Sequence, residues 1–137
     1  RQMCIRDRGC SVCRTTHRCV QDDDMAEILD KVVKADVIVL STPVYFYIMN
    51  GQMKTFIDRC LPRYEEISNK EFYFICTSVD PDRAVIEKTL SGLRDFTDDC
   101  LDNCIERGVI CGIDTAVKGA IEDTPAYERA YEIAKNI

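Results

Sequence analysis

The sequence predicts an α/β domain in which helices cover both faces of a parallel sheet. Three runs at 37–40, 72–76 and 109–113 are almost continuously apolar, which is typical of strands buried on both faces. Apolar residues at helical spacing lie between and after these runs. Strands that alternate with helices indicate a parallel sheet, and the predicted order is loop-α-β-α-β-α-β-α.

The apolar spacing predicts four amphipathic helices, at 23–34, 53–61, 82–106 and 125–136. Three aspartates at 22–24 offer an N-cap and favourable charge at the start of the first helix. Pro62 stops the second helix. Gly92 interrupts the third helix and is expected to mark a kink or a break. Gly108 stands where a glycine that ends this helix belongs.

Length, charge and hydropathy exclude several classes of function. A chain of 137 residues is long enough for one domain with one core. Its formal net charge of -6 disfavours nucleic acid and anionic membranes as main partners, because both attract clustered lysines and arginines. No apolar run approaches the roughly 18 residues of a membrane-spanning helix. We therefore expect no nucleic acid and no membrane as partner.

Cysteine is abundant, with nine residues in the chain. Five of them stand inside periodic apolar patterns, where a reduced thiol behaves as a small hydrophobe. These five are Cys60, Cys76, Cys100, Cys104 and Cys111. This usage predicts a reducing, cytoplasmic location. The other four, Cys4, Cys10, Cys13 and Cys19, fall in an N-terminal loop and are the candidates for chemistry.

The segment after the first strand, STPVYFYIMN at 41–50, is unusually apolar for a loop. Loops run over the surface and are mostly polar, so an apolar one needs a ligand, its own core or a second subunit to cover it. In open α/β sheets, ligands bind beyond the carboxyl ends of the strands. We therefore expect the aromatic residues of this loop to line a ligand crevice.

Three segments together carry a family resemblance: GCSVCRTTHRCVQDDDM (9–25), ADVIVLSTPVYF (35–46) and GQMKTFIDR (51–59). In order and spacing they resemble the flavodoxin-like NAD(P)H-dependent FMN reductases, particularly those related to the iron-sulfur flavoproteins. The resemblance covers about residues 9–137. It implies a parallel sheet of strand order 2-1-3-4-5 that binds FMN, of which the three predicted strands would be the third, fourth and fifth.

The implied function is that of a cytoplasmic FMN-dependent NAD(P)H oxidoreductase. Hydride would enter from NAD(P)H, and electrons would leave to a small-molecule or protein acceptor such as a quinone, a flavin or an iron-sulfur centre. Since the cofactor does the chemistry, no catalytic side chain is nominated. Family members are commonly dimers or tetramers with flavins near subunit interfaces, so the resemblance also implies a homo-oligomer.

The resemblance implies that the loop after the first strand lies along the isoalloxazine ring of FMN. The predicted cofactor-binding residues are Thr42, Pro43, Val44, Tyr45, Phe46 and Tyr47, with Ser78 in the turn after the next strand. The following residues, 48–50, are expected to line a substrate pocket or to make a dimer contact. Lys54, Asp58 and Arg59 are expected on a solvated helix face, with Asp58 and Arg59 in local ion pairs.

Cys10, Cys13 and Cys19 match three positions of the C-x2-C-x2-C-x5-C set that holds a [4Fe–4S] cluster in iron-sulfur flavoproteins. The first position of that set falls on Asp7, whereas a cubane cluster takes four thiolates. Two alternatives stay open. The three cysteines and His17 could bind zinc, or the thiols could simply be reduced in a flexible loop.

The family elements that hold the FMN phosphate would precede residue 9, where only eight residues stand. We therefore expect 1–8 to be a non-native junction. Residues 9–137 would be a partial flavodoxin-like FMN-binding domain that lacks the phosphate-binding loop and carries a cysteine-containing loop at 9–22. The alternative function is an iron-sulfur or zinc-binding electron-transfer module without nicotinamide turnover, and a third possibility is a fragment without activity.

Overall fold

The computed structural model describes residues 5–135 and 137, and over these residues five α-helices and four strands follow one another. The helices are α1 (Cys13–Thr16), α2 (Met25–Lys34), α3 (Gly51–Asp58), α4 (Arg83–Arg94) and α5 (Pro125–Ala134). The strands are β1 (Val37–Tyr45), β2 (Ile48–Met49), β3 (Glu71–Thr77) and β4 (Ile105–Gly112). Short helical turns lie at Tyr64–Glu66, Asp95–Asp99 and Ala120–Asp123. In this part of the chain, no helix is both long and apolar enough to cross a bilayer.

The sheet has the order β2-β1-β3-β4. Strands β1, β3 and β4 are parallel, and β2 pairs antiparallel with the carboxyl end of β1. The register aligns Val37 with Glu71 at one end and Pro43 with Thr77 at the other, so β1 and β3 end at the same edge. The predicted parallel α/β architecture is confirmed.

Two apolar cores lie on opposite faces of this sheet. The larger one joins α2 and α4 to β1 and β3, where Leu29, Leu90 and Phe74 are buried together. The smaller one places Ile133 of α5 against Tyr73 and Ile110. Helices therefore cover both faces of β3, as its continuous apolar sequence predicts.

Strand β1 departs from this prediction. Its residues Ile38 and Leu40 face the larger core, but Val39 on the opposite face is 49% exposed. The reason is the position of α5, which contacts β4 at the far side of the sheet. The expectation that β1 is buried on both faces is therefore wrong for the described part of the chain.

The predicted helix at 82–106 is too long. Helix α4 passes through Gly92 and ends at Arg94, and β4 already begins at Ile105. Between them Asn103 takes a left-handed conformation with a φ of 53° and redirects the chain. Gly108 therefore lies inside β4, where a Cβ atom would stand 3.1 Å from Cδ1 of Ile133. The absence of a side chain at Gly108 therefore allows α5 to pack closely against β4, and Gly108 does not end a helix.

Candidate functional site

The apolar segment 41–50, which the sequence suggested to be a loop, forms a tight hairpin between the carboxyl end of β1 and β2. Val44 pairs with Met49 and Tyr45 with Ile48, which leaves Phe46 and Tyr47 as a two-residue turn. Their φ angles are 51° and 70°, so both aromatic residues are left-handed. Such turns usually contain Asn-Gly, because L-residues with a Cβ are strained in this conformation. Without that signal, the sequence does not reveal the hairpin.

Residues 45–48 form an exposed apolar hairpin tip at the carboxyl edge of the sheet. The Phe46 side chain is almost fully exposed, at 98%, and Tyr45 is 60% exposed. Contiguous apolar surface of this kind marks a place where a ligand or another protein binds. Backbone strain that persists at such a place is a further pointer to function.

Helix α4 holds the hairpin tip in place. The Thr89 hydroxyl is buried and donates to the carbonyl of Tyr47 at 3.3 Å. The Lys88 ammonium lies 4.5 Å from the centre of the Tyr47 ring. Below the turn, Met49 is buried, and its Cε is 3.3 Å from where a Cβ of Gly92 would be. Because Gly92 has no side chain, Met49 can pack against α4 there. These contacts fix the conformation of the hairpin tip before any ligand binds.

The base of the hairpin is closed by Thr42. Its hydroxyl accepts from the backbone N–H of Asn50 at 3.0 Å and donates to the carbonyl of Pro43 at 2.9 Å. The side chain is buried, so Thr42 shapes the hairpin from within. Pro43 and Val44 are half-buried beside it.

The turn after β3 lies at the same edge as the hairpin, because Pro43 and Thr77 are paired in register. Ser78 is buried there, and its hydroxyl accepts from the backbone N–H of Asp80 at 3.0 Å. The next residue, Val79, is exposed. The structure therefore brings the predicted residues of the two loops together. That they contact a flavin stays a prediction.

Two of the described helices that begin at this edge, α3 and α4, have a side-chain N-cap, whereas α5, which follows β4, has none. Asn50 accepts from the backbone N–H of Met53 at 2.9 Å, and Asp82 accepts from that of Ala84 at 2.9 Å. A phosphate needs free N–H donors at a helix N-terminus or a nest. Each of these two caps occupies one of the N–H donors at the start of its helix.

Cys10, Cys13 and Cys19 of the N-terminal loop line one cavity of about 180 Å³ together with Leu61, whereas Cys4 lies outside the described residues. Cys13 opens α1 and is 8% exposed, while Cys10 is exposed. Burial raises the pKa of the Cys13 thiol. His17 lines the neighbouring cavities next to Pro62 and Arg63 instead.

The donors of this loop do not complete a metal centre. Within residues 5–135 and 137, no three histidine, cysteine or acidic side chains gather closely enough to hold one ion. A [4Fe–4S] cluster takes four thiolates, and the described part of the loop supplies three. The cavity brings the three thiols to one place without making a full ligand set.

Arg59 corrects the expectation of a solvated helix face with local pairs. Its side chain is 1% exposed and pairs with Asp23, which lies 36 residues away in the sequence. Lys54 and Asp58 do form the expected exposed pair on α3. Hydrogen bonds from Arg59 lower the pKa of Asp23 to about 2. Sequence spacing could not reveal the pair, because its partners meet only in the folded chain.

Comparisons with known proteins agree with this geometry. A family described as NADPH-dependent FMN reductase matches residues 2–95. An iron-sulfur flavoprotein of Methanosarcina thermophila is 31% identical in an alignment that covers 95% of this chain and 69% of that protein. An iron-sulfur flavoprotein of Archaeoglobus fulgidus is 48% identical over 54 residues, which are 39% of this chain and 24% of that protein. The chain thus spans about a quarter of the length of the second relative.

Among solved structures, a flavodoxin, WrbA-like protein from Agrobacterium tumefaciens superposes with a TM-score of 0.57 at 18% identity. The superposition covers 78% of this chain and 71% of that chain. This likeness shows a flavodoxin-like fold for the described strands and helices.

Proposed function

The chain belongs to the NADPH-dependent FMN reductase family, and from this premise we propose that the protein is an FMN-dependent NAD(P)H oxidoreductase. The observation that carries the proposal is the exposed, strained hairpin tip at the carboxyl edge of a parallel sheet. Bound FMN would supply the hydride and electron transfer. The residues of this chain bind and orient it and exclude water.

The roles of these residues follow from the hairpin geometry. Tyr45 and Phe46 present exposed apolar faces that can cover a flat ring. Thr89 and Lys88 hold the turn in place, so little conformational entropy is lost when a ring binds. Thr42 and Ser78 stabilise the conformation of the two loops, because their buried hydroxyls accept hydrogen bonds from the loop backbones. No side chain of this site is assigned a proton transfer.

We further propose that residues 9–137 form a partial flavodoxin-like FMN-binding domain with a cysteine-containing loop at 9–22. The sheet supports this proposal, because the described residues supply three parallel strands, β1, β3 and β4, of the five that the family resemblance implies.

The exposed tip also supports a homo-oligomer, since a second subunit would cover Phe46 and Ile48 once a flavin is bound. The electron acceptor would be a small molecule or a redox protein that reaches the same edge. The eight cysteines of the described residues are all free thiols, which supports a reducing, cytoplasmic location.

A second candidate function rests on the cysteine cavity. The three thiols line one cavity of about 180 Å³, which supports an electron-transfer module that holds an iron-sulfur cluster or zinc. A cluster would need a fourth ligand besides Cys10, Cys13 and Cys19. Colour separates the two functions, because a flavoprotein is yellow, an iron-sulfur protein brown and a zinc protein colourless.

The test is a flavin titration of the purified chain, read by quenching of flavin fluorescence, with FMN and riboflavin compared. If the tip binds the ring and the phosphate site lies elsewhere, both flavins bind with similar affinity. Tyr45→Ser should weaken binding at least tenfold. Tyr131→Ser is the matched control, because Tyr131 on α5 is equally exposed, at 59%, and lies outside the site.

Two outcomes would contradict the proposal. Equal losses in Tyr45→Ser and Tyr131→Ser would mean that flavin binds nonspecifically to exposed aromatic rings. Flavin that does not bind to the chain at all, combined with a brown protein after iron and sulfide are added, would favour the second candidate.

A further inference from the structure

A buried ion pair joins Asp23 and Arg59, which lie outside the hairpin tip. The Arg59 guanidinium meets the Asp23 carboxylate with two parallel hydrogen bonds, Nη1 to Oδ2 at 2.7 Å and Nη2 to Oδ1 at 2.9 Å. Both side chains are 1% exposed. Asp23 also accepts from the backbone N–H groups of Met25 at 3.1 Å and Ile5 at 2.9 Å.

The position of this pair relates it to the cysteines. Asp23 follows directly on the cysteine-containing loop, 9–22, and precedes α2. Arg59 follows the last residue of α3, and Leu61, two residues further on, forms a wall of the cysteine cavity. The pair therefore fastens the exit of the loop to the segment that closes the cavity.

Within the described residues, other polar contacts of the loop stay inside it or reach the segment just before it. The hydroxyls of Thr15 and Thr16 bond to the carbonyl of Val12, within the loop itself. Gln21 donates to the carbonyl of Arg6 at 3.2 Å and contacts the sulfur of Cys19.

We infer that Asp23 and Arg59 are positioning residues that hold the cysteine loop closed against Leu61 and so keep the Cys13 thiol buried. Loss of either partner leaves a charge buried without its counterpart, which the chain relieves by opening the loop to water. This inference concerns the thiols themselves and does not require that FMN or a metal binds. The pair would hold these thiols in place for any ligand or reagent that binds them.

The test is the rate at which each cysteine reacts with a neutral maleimide, resolved by peptide mass spectrometry. In Arg59→Gln we expect the rate at Cys13 to rise at least tenfold. Cys10 is already exposed and should not change. Cys76, which is 0% exposed in the main core, should stay unreactive. Asp23→Asn is isosteric and should reproduce the effect if Arg59→Gln folds poorly.

Two further variants sharpen the test. Arg59→Lys keeps the charge but loses the paired geometry, so its rate at Cys13 should fall between those of the wild type and Arg59→Gln. Arg107→Gln is the matched control, because Arg107 pairs with Glu71 at 2.7 Å and both residues lie outside the cysteine cavity. It should leave Cys13 unchanged.

A rise confined to Cys13, with partial rescue by lysine, supports the inference. An unchanged rate at Cys13 in both Arg59→Gln and Asp23→Asn overturns it. A parallel rise at Cys13 and Cys76 also overturns it, since the pair would then stabilise the whole domain and not the loop. Neither overturning result would touch the proposed flavin site, which is tested by flavin binding.

Discussion

Substitution of Phe46 by glycine is expected to make the domain more stable while it removes a residue of the proposed flavin site. Phe46 has a φ of 51°, and this left-handed conformation costs an L-residue about 1–2 kcal/mol. Its side chain is 98% exposed, so almost no packing is lost with the ring. Glycine adds freedom to the unfolded chain, which costs about 0.5–1 kcal/mol. Phe46→Gly should therefore raise the free energy of unfolding by about 0.5–1 kcal/mol.

The assay is urea unfolding followed by far-ultraviolet circular dichroism, with the free energy extrapolated to water. Phe46→Asn serves as a second variant, because asparagine tolerates the left-handed region and should also stabilise. Val79→Gly is the matched control. Val79 is likewise apolar and exposed, in the neighbouring turn, but is not among the residues with positive φ. Val79→Gly should lower the free energy of unfolding by about 0.5–1 kcal/mol.

A lower stability of both Phe46 variants would refute this reasoning. It would mean that Phe46 is covered in solution, for example by a second copy of the chain, and that its burial outweighs the strain. Measurements at two protein concentrations separate these cases, because an oligomer contact makes stability depend on concentration. Weaker flavin binding in the stabilised variants would show that the Phe46 ring contributes to flavin binding.

Two further predictions concern the anchors of the two sites. Thr89→Val removes the hydroxyl that donates to the Tyr47 carbonyl and should cost about 1 kcal/mol. It should also speed chymotrypsin cleavage at the hairpin tip, whereas Thr115→Val, which removes a similar bond to the Ser78 carbonyl, should not. The second concerns acid. The Asp23 pKa is lowered from 3.8 to about 2, a difference of roughly 2 kcal/mol. Because the folded pKa lies below the unfolded one, this stabilisation is complete above about pH 4 and is lost as pH falls toward 2. Urea midpoints between pH 5 and 2 should therefore fall more steeply in the wild type than in Asp23→Asn, and parallel slopes would contradict the assignment.

Sequence patterns predicted the elements correctly where burial in a core determines which residue types are used. The apolar runs of β1 and β3 and the stripe of α2 are predicted because their side chains must face a core. The same rule misplaced the end of α4. Cys104 and Ile105 continue a helical spacing by coincidence, and the chain turns at Asn103, whose conformation apolar spacing does not encode.

The site was predicted in part, for a different reason. Its position follows from the rule that ligands bind at the carboxyl ends of strands. The hairpin itself was missed, because its turn contains Phe46 and Tyr47 where sequence rules require Asn-Gly. A residue that violates local preference for the sake of a ligand cannot be recognised from local preference. Arg59 was missed because an arginine after an amphipathic helix is usually solvated, and only the tertiary contact with Asp23 distinguishes it.

Helix α3 connects the two sites. It begins directly after the hairpin, with Asn50 as its N-cap, and ends at Asp58, next to Arg59. Eight helical residues span about 12 Å, so a short and stiff element separates the hairpin tip from the base of the cysteine loop. The hairpin is fixed at one end by Thr42 and Asn50. The loop is fixed at the other end by Arg59. If both sites carry electrons, α3 and its two anchors hold them at a constant separation, and opening of the Asp23–Arg59 pair would change that separation without disturbing the tip.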